Sequence, residues 1–356
     1  MTEQRLQQIL HRFPERKVLI VGDFFLDHYL IIDRSLSETS LETGLEAYQV
    51  VQIRNSPGAG GTVANNLRAL EVQTHALTLI GQDGLGYDLL HELRLRGVNV
   101  DGVLQHPQRF TPTYTKPMLR EVDGRVHEIN RLDIKNRTPL EPEWEERLIA
   151  LLRDFVPEMD GIIVADQVEE RNCGVVTDRV REEICRLAAQ YPQKVFFADS
   201  RARIGEYHSL LIKPNQREAM RVFVPDWEGT CTMEEAREVG VELSKRTGKP
   251  VFLTISEQGV LVVDGEKITH VPAVPVTGEI DIVGAGDSTS AGTVSALCSG
   301  ANLVEAAQVG QLVASITVQQ IGTTGVATRE QVLRRLGEAK SWGWARGSPI
   351  REFEVY

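Results

Sequence analysis

Short apolar runs alternate with amphipathic stretches of helical period along most of the chain, and this leaves few architectures open. Residues 17–22 (KVLIVG) form the first run, apolar throughout and closed by a glycine, as expected of a strand buried on both faces. The pattern returns at 75–81 before a helix over 86–96, at 161–166 before a helix over 173–189, and at 194–199, 210–213 and 251–255. Strands joined in this way by helices predict an α/β fold, a mostly parallel central sheet covered by helices on both faces. Residues 287–299 and 303–320 read as two more helices, rich in small residues and therefore able to pack closely.

Two segments break the pattern. Residues 31–53 alternate irregularly, and residues 111–132 carry β-type residues around a turn at 122–125, the signature of a hairpin. Together they predict a small β-sheet lid beside one large domain over residues 1–336. Residues 337–356, with Trp342 and Trp344, are expected to form a C-terminal tail docked on the body.

With 356 residues, 42% hydrophobic and 25% charged, the chain can bury a substantial core. Its net charge of -11 and the lack of any dense Lys/Arg stretch argue against nucleic acid as a partner, while leaving room for a small anion held locally. Four scattered cysteines, without a Cys-x-x-Cys pair, disfavour a disulfide framework and a zinc site. The first sixteen residues lack the basic-then-apolar order of a secretory signal, and no run reaches the length of a membrane span. A cytoplasmic location, with no membrane partner, is the expectation.

The sharpest local feature is the turn at 281–288 (DIVGAGDS), which runs directly into a small-residue helix. Glycine and alanine let backbone amides approach a ligand closely, and a helix N-terminus adds unpaired N–H donors, so Gly284, Ala285 and Gly286 suit a phosphate or a developing oxyanion. Asp287 stands at the mouth of that turn, where it can accept a proton from a substrate hydroxyl; the competing reading makes it a simple N-cap. A second glycine cluster at 57–66 contains Gly60, Gly61 and Asn65 and suits a polyhydroxylated ligand, or else a plain turn. Asp23 and Asp27, at the end of the first strand, supply acceptors for such a ligand or cap local structure. The P-loop, the opening dinucleotide fingerprint, the zincin helix and the nucleophile elbow are all absent.

The glycine signatures near the start and end of the chain, in this order and separated by a βα series, resemble those of the ribokinase/PfkB sugar kinases. Residues 81–86, 213–218 and 254–259 support the resemblance, which covers roughly residues 17–336. It implies a ribokinase-like fold and an ATP-dependent transfer of the γ-phosphate to a sugar hydroxyl, with Mg2+ as cofactor. On this resemblance Asp287 is the general base and Gly284, Ala285 and Gly286 form the anion hole. Asp27, Gly60, Gly61 and Asn65 grip the sugar; Asn215 and Glu218 organise Mg-phosphate and its waters. Thr254, Ser256 and Gly259 match the nucleotide-binding strand and turn, with Ser256 standing where the family commonly has glycine. Asp281, with the loop at 322–325, falls where the family often binds a monovalent cation such as K+.

Within that family the pattern is most similar to the kinase part of bacterial heptose enzymes, which phosphorylate D-glycero-D-manno-heptose 7-phosphate at the anomeric hydroxyl. Residues 21–27, Lys116 and the segment 130–133 carry this likeness. The chain departs from the subgroup at 166–170 and 199–203, where it lacks two lysines; Arg201, Arg203, Lys116 or Arg131 are candidate receivers of a distal phosphate, or ordinary surface cations. A kinase for ribose, fructose or a nucleoside, and a silent sugar-binding protein of the same fold, are the alternatives. An apolar lid face often pairs with a second copy, so a homodimer formed through the lid is expected. Twenty residues follow Leu336 and no His-x-Gly-His occurs, so the nucleotidyltransferase often fused to such kinases is expected to lie elsewhere.

Overall fold

The computed structural model describes residues 1–344 and the short strand Glu352–Phe353. At its centre lies a ten-stranded sheet. From one edge its strands are Glu352–Phe353, Lys267–Val271, Val260–Asp264, Val251–Thr254, Leu211–Ile212, Val195–Ser200, Gly161–Asp166, Lys17–Gly22, Gln73–Gly81 and Asn99–His106. The run from Val251–Thr254 to Asn99–His106 is parallel, and the three strands at the other edge pair antiparallel.

The first strand shows why the sheet needs two covers. Successive side chains of a strand point to opposite faces. Val18 and Ile20 join a core built with the Gly60–Ala69, Ala285–Cys298 and Leu303–Thr317 helices. Leu19 and Val21 join a second core with the Pro142–Phe155, Asp178–Gln190 and Met233–Thr247 helices. All four side chains are fully buried, each stabilising the fold by roughly 2 kcal/mol relative to exposure. The two small-residue helices pack as closely as expected: a Cβ on Gly292 would stand 2.9 Å from a Val313 methyl.

From Lys17–Gly22 the chain moves outward to Gln73–Gly81 and Asn99–His106, then crosses back to Gly161–Asp166 on the other side. The carboxyl end of the first strand is thus a topological switch point, the place where open α/β sheets bind ligands. Gly22 makes the close approach possible there: its φ is +143°, and a Cβ would stand 2.2 Å from the Ala165 carbonyl oxygen.

The smaller sheet is built from Leu132–Ile134, Thr113–Arg120, Phe24–Asp33 and Val50–Ala59, with Val126–Glu128 paired to Thr113–Arg120. Its strands start earlier and end later than the 31–53 segment read from sequence. Phe24–Asp33 follows Gly22 almost at once, because its first half is apolar and buried and gave no signal of leaving the body. The hairpin turn at 122–125 is present, with Gly124 at φ +85°.

Two other boundaries moved. The helix expected over 173–189 begins only at Asp178, where Thr177 caps it by accepting from the Val180 amide; the Val175 amide before it donates to Asp23. The Arg329–Ser341 helix runs through residue 337, where the tail was expected to start. Trp344 is buried, its indole N–H donating to the Pro272 carbonyl at 3.0 Å. The rest of the tail, residues 345–351 and 354–356, lies outside the described residues.

Candidate active site

The turn before the Ala285–Cys298 helix sets the centre of the site. Gly284 occupies the left-handed region at φ +80°, and its carbonyl accepts from the Ser288 amide to start the helix. The Ala285 amide donates back to the Ile282 carbonyl at 3.1 Å, so it is not a free donor as the sequence reading had it. Gly286 and Asp287, in the first helical turn, keep the unpaired amides that such a turn leaves over. An anion placed here meets those N–H groups and the positive end of the helix.

Asp287 is inside that first turn, not the N-cap, and its carboxylate has no hydrogen-bond or ion-pair partner among the described residues. Burial pushes its pKa up to about 7; the charges of Asp199 and Asp27 add to the rise, while Lys213 and Arg201 oppose it. A half-buried carboxylate titrating near neutrality can take a proton from a hydroxyl.

Lys213 and Asp199 were not singled out from sequence, yet they form the floor of this site. Lys213 is buried, its Nζ 2.9 Å from Asp199 Oδ2, and a Cβ on Gly286 would stand 3.4 Å from that Nζ. Burial disfavours its charge, but Asp199, Glu218 and Asp287 hold its pKa above the ordinary value. The signal available was position: Asp199 lies at the carboxyl end of one parallel strand and Lys213 directly after the next. Thr62 is a further omission. Its methyl lies 3.2 Å from where a Gly284 Cβ would project, so the Gly60–Ala69 helix meets the glycine turn through Thr62.

Asn215 and Glu218 cap the Gln216–Arg221 helix reciprocally: Asn215 Oδ1 accepts from the Glu218 amide and Glu218 Oε2 from the Asn215 amide, both at 2.8 Å. Burial, then the charge of Asp199, push Glu218 up to about 7 against Lys213. Thr254 bridges to Asn215, and its amide donates to the Pro214 carbonyl at 2.9 Å. Ser256 takes the left-handed φ of +53° where glycine would be relaxed, and Gly259 closes the same turn at +103°.

On the opposite wall, Asp27 Oδ1 lies 2.8 Å from Lys116 Nζ, which also donates to the Tyr29 hydroxyl at 3.3 Å. Burial opposes the Lys116 charge, but Asp27 and Tyr29 raise its pKa overall. Gly58 of the adjoining strand comes so close that a Cβ there would stand 2.8 Å from Asp27 Oδ2. Gly58 is thus the glycine that lies directly against the Asp27 carboxylate. Gly60 and Gly61 also have a packing reason, since a Cβ would strike the Phe24 ring at 2.8 Å or Pro57 at 2.4 Å. Asn65 Nδ2 donates to the Pro57 carbonyl at 3.4 Å, and the residue lines a crevice with Ser56, Gln320 and Thr324.

Asp23 also differs from the expectation that it faces a sugar. Its carboxylate accepts from the amides of Gln167, Val168 and Val175 at 2.8–2.9 Å and so pins the loop after Gly161–Asp166 to the first strand. Burial and the charge of Asp166 push it up to about 6 in spite of those amides. Arg203 is fixed in a buried pair with Asp166 at 2.8 Å, and Arg131 forms a two-bond fork to Asp133 over the Tyr114 ring. Asp281 accepts from the Val283 amide at 3.0 Å and the Gly322 amide at 3.2 Å, joining the 322–325 loop to the glycine turn. Among the described residues no cluster of three or more His, Cys, Asp or Glu side chains forms a metal cage, and no helix is long and apolar enough to cross a membrane.

Over 345 residues, 95% of its length, the chain is 28% identical to the bifunctional protein HldE of Geotalea uraniireducens, of which it covers 66%. It is 27% identical over 320 residues to that of Helicobacter acinonychis, covering 65% of it. The chain thus spans just under two thirds of the length of these curated relatives. Among solved structures, a ribokinase of Arabidopsis thaliana complexed with ribose and ATP superposes with a TM-score of 0.66 at 19% identity, covering 90% of this chain and 98% of that one. The tetrameric inhibited form of phosphofructokinase-2 from Escherichia coli also gives 0.66 at 19% identity, covering 91% and 99%. These two share its ribokinase-like fold. The pattern of the pfkB family carbohydrate kinases extends over residues 17–329, from the first strand past the glycine turn, and the chain belongs to that family of phosphotransferases with a hydroxyl acceptor.

Proposed function

We propose that the protein transfers the γ-phosphate of ATP to a sugar hydroxyl, with D-glycero-D-manno-heptose 7-phosphate, at its anomeric hydroxyl, as the leading acceptor. The observation that carries the reading is the pairing of an unpartnered Asp287 carboxylate with free helix-end amides at the Gly284 turn. The choice of acceptor is supported by the likeness to the HldE proteins across 95% of this chain.

In this scheme the acceptor lies between Asp27 and Gly58 on the lid side and Asp287 on the body side. Asp287 takes the proton of the acceptor hydroxyl, the oxygen attacks the γ-phosphorus in line, and ADP leaves. The amides of Gly286 and Asp287 face the charge on the transferring group, and Lys213 adds a fixed positive charge beneath them. Asn215, Thr254, Ser256 and Gly259 form the nucleotide side. Glu218 and Asp199 place two carboxyl groups around the single ammonium of Lys213, which fits a divalent cation held by one or two carboxylates, waters and nucleotide phosphates. Mg2+, when bound there, neutralises the nucleotide phosphates. A monovalent cation such as K+ belongs, on the same proposal, near Asp281 and the 322–325 loop.

The lid also suggests the oligomer. Val50, Val51 and Ile53 are exposed apolar positions on both faces of the Val50–Ala59 strand, and a second copy covering them gives a homodimer. Sedimentation of the protein and of a Val51→Lys/Ile53→Lys variant tests this; a monomeric parent would reject it.

The activity is tested by ADP release with a panel of heptose 7-phosphate, ribose, fructose and adenosine. Turnover of the heptose phosphate is the expected result. Turnover restricted to a neutral sugar or nucleoside would overturn the acceptor assignment, and none with any acceptor would favour a silent binding protein.

A further inference from the structure

A narrow cleft opens between the lid and the body, walled by Phe25 and Tyr114 on one side and by the loop after Gly161–Asp166 on the other. Two cations line it from different parts of the fold. Lys135 comes from the lid side, directly after the Leu132–Ile134 strand, and Arg201 from the body side, directly after Val195–Ser200. Neither side chain has a hydrogen bond or ion pair among the described residues, although the Arg201 backbone amide donates to the Asp166 carbonyl at 3.0 Å.

Their neighbours differ in this respect. Arg109, in the same cleft, donates to the carbonyls of Cys173 at 2.6 Å and Thr138 at 3.1 Å. Arg203, Lys116 and Arg131 are paired with Asp166, Asp27 and Asp133. Of the candidate receivers of a distal phosphate, only Arg201 is therefore left available, and Lys135 joins it from a position the sequence did not mark. Glu169 and Glu170 also line the cleft without an ion pair to either cation. Unpaired carboxylates accept from hydroxyls, whereas unpaired Lys and Arg are matched by a phosphate, whose oxygens take charge-assisted hydrogen bonds from both. A ligand carrying hydroxyls and one phosphate satisfies all four. The Arg201 charge also opposes the rise of the Asp287 and Glu218 pKa values.

We propose that Lys135 and Arg201 together receive a phosphate group already present on the acceptor, so that this group bridges lid and body and selects phosphorylated over neutral sugars. The inference rests on the sugar-kinase reading given above, and it assigns two residues to one part of the substrate.

The test compares parent, Arg201→Gln, Lys135→Gln and Arg201→Lys on a sugar phosphate and on its dephosphorylated parent sugar, with the shift in melting temperature caused by inorganic phosphate as a readout free of turnover. Each Gln variant should lower the ratio of kcat/KM for phosphorylated over neutral acceptor by about tenfold or more, through KM, with Arg201→Lys recovering part of it. Each should also lose most of the shift given by phosphate. An unchanged ratio in both Gln variants, with an unchanged shift, would overturn the inference while leaving the kinase intact. No turnover of either acceptor by the parent, together with a phosphate shift lost in the variants, would sink the kinase reading and leave the anion site standing.

Discussion

The Lys213 ammonium lies 2.9 Å from the Asp199 carboxylate, and both sit directly under the glycine turn that opens the Ala285–Cys298 helix. This pair couples three links of the chain. Parallel strands deliver the two residues to the same sheet edge, their mutual charge lets both remain buried, and the ammonium opposes the rise of the Asp287 and Glu218 pKa values more than Arg201 does.

Replacing Lys213 with Met should therefore act on stability and chemistry together. Asp199, whose side chain is 14% exposed, would be left as a buried charge without its partner, a loss of about 3 kcal/mol. Urea unfolding measures that loss. Because Lys213 lowers both neighbouring carboxylates, the variant's rate should also rise at higher pH than the parent's; an unmoved pH profile would separate Lys213 from the site.

Asp287→Asn should lower kcat by a factor of about 100 or more, since a neutral amide cannot take the acceptor proton. The same change should affect stability with a definite sign. The folded pKa of Asp287, about 7, lies above its ordinary 3.8, so the folded state holds the proton more tightly than the unfolded one. Its contribution to stability is complete below pH 4 and is lost as pH rises through 7. Asn carries no such penalty, and the variant should gain in melting temperature over the parent on going from pH 5 to pH 8. A difference that stays constant between the two values would contradict the assignment.

Divalent cation binding should release protons near neutral pH. Glu218 is pushed up to about 7 by burial and by Asp199, so at pH 6.5 it is largely protonated in the free protein and must lose that proton to hold a cation. Calorimetric titration of Mg-nucleotide in two buffers of different ionisation enthalpy reads the release directly. The Glu218→Gln protein should show less of it, and an identical release would place the proton elsewhere.

Much of the architecture was legible because the apolar runs and their spacing are local signals, as at residues 17–22, whose burial on both faces follows from composition alone. The candidate site could be proposed from sequence at Asp287 and Gly284, where a special backbone and a charged residue adjoin. It was not legible where function depends on contacts between distant segments. Asp199 and Lys213 are ordinary residues until the sheet makes them neighbours, and Lys135 meets Arg201 only across the cleft between lid and body. Gly60 and Gly61 show the same dependence on distant segments. The sequence suggests them as ligand contacts, and Phe24 and Pro57 also occupy the space beside them, while Gly58 and Thr62 face Asp27 and Gly284.

Gly284 offers the strictest test of the turn itself. At φ +80° a residue with a Cβ is strained by about 1–2 kcal/mol, and the new Cβ would also press within 3.2 Å of the Thr62 methyl. Gly284→Ala combines both effects and should lower stability and, by tilting the Gly286 and Asp287 amides, reduce kcat more than it raises KM. Two companions separate the causes. Gly284→Asn keeps the steric contact but tolerates the left-handed backbone, so it should be more stable than the Ala variant. Adding Thr62→Ser to Gly284→Ala removes the methyl and leaves the strain, and should restore only part of the loss. Full recovery in that double variant, with no advantage of Asn over Ala, would mean that crowding by Thr62 and not the backbone conformation makes glycine necessary at this position.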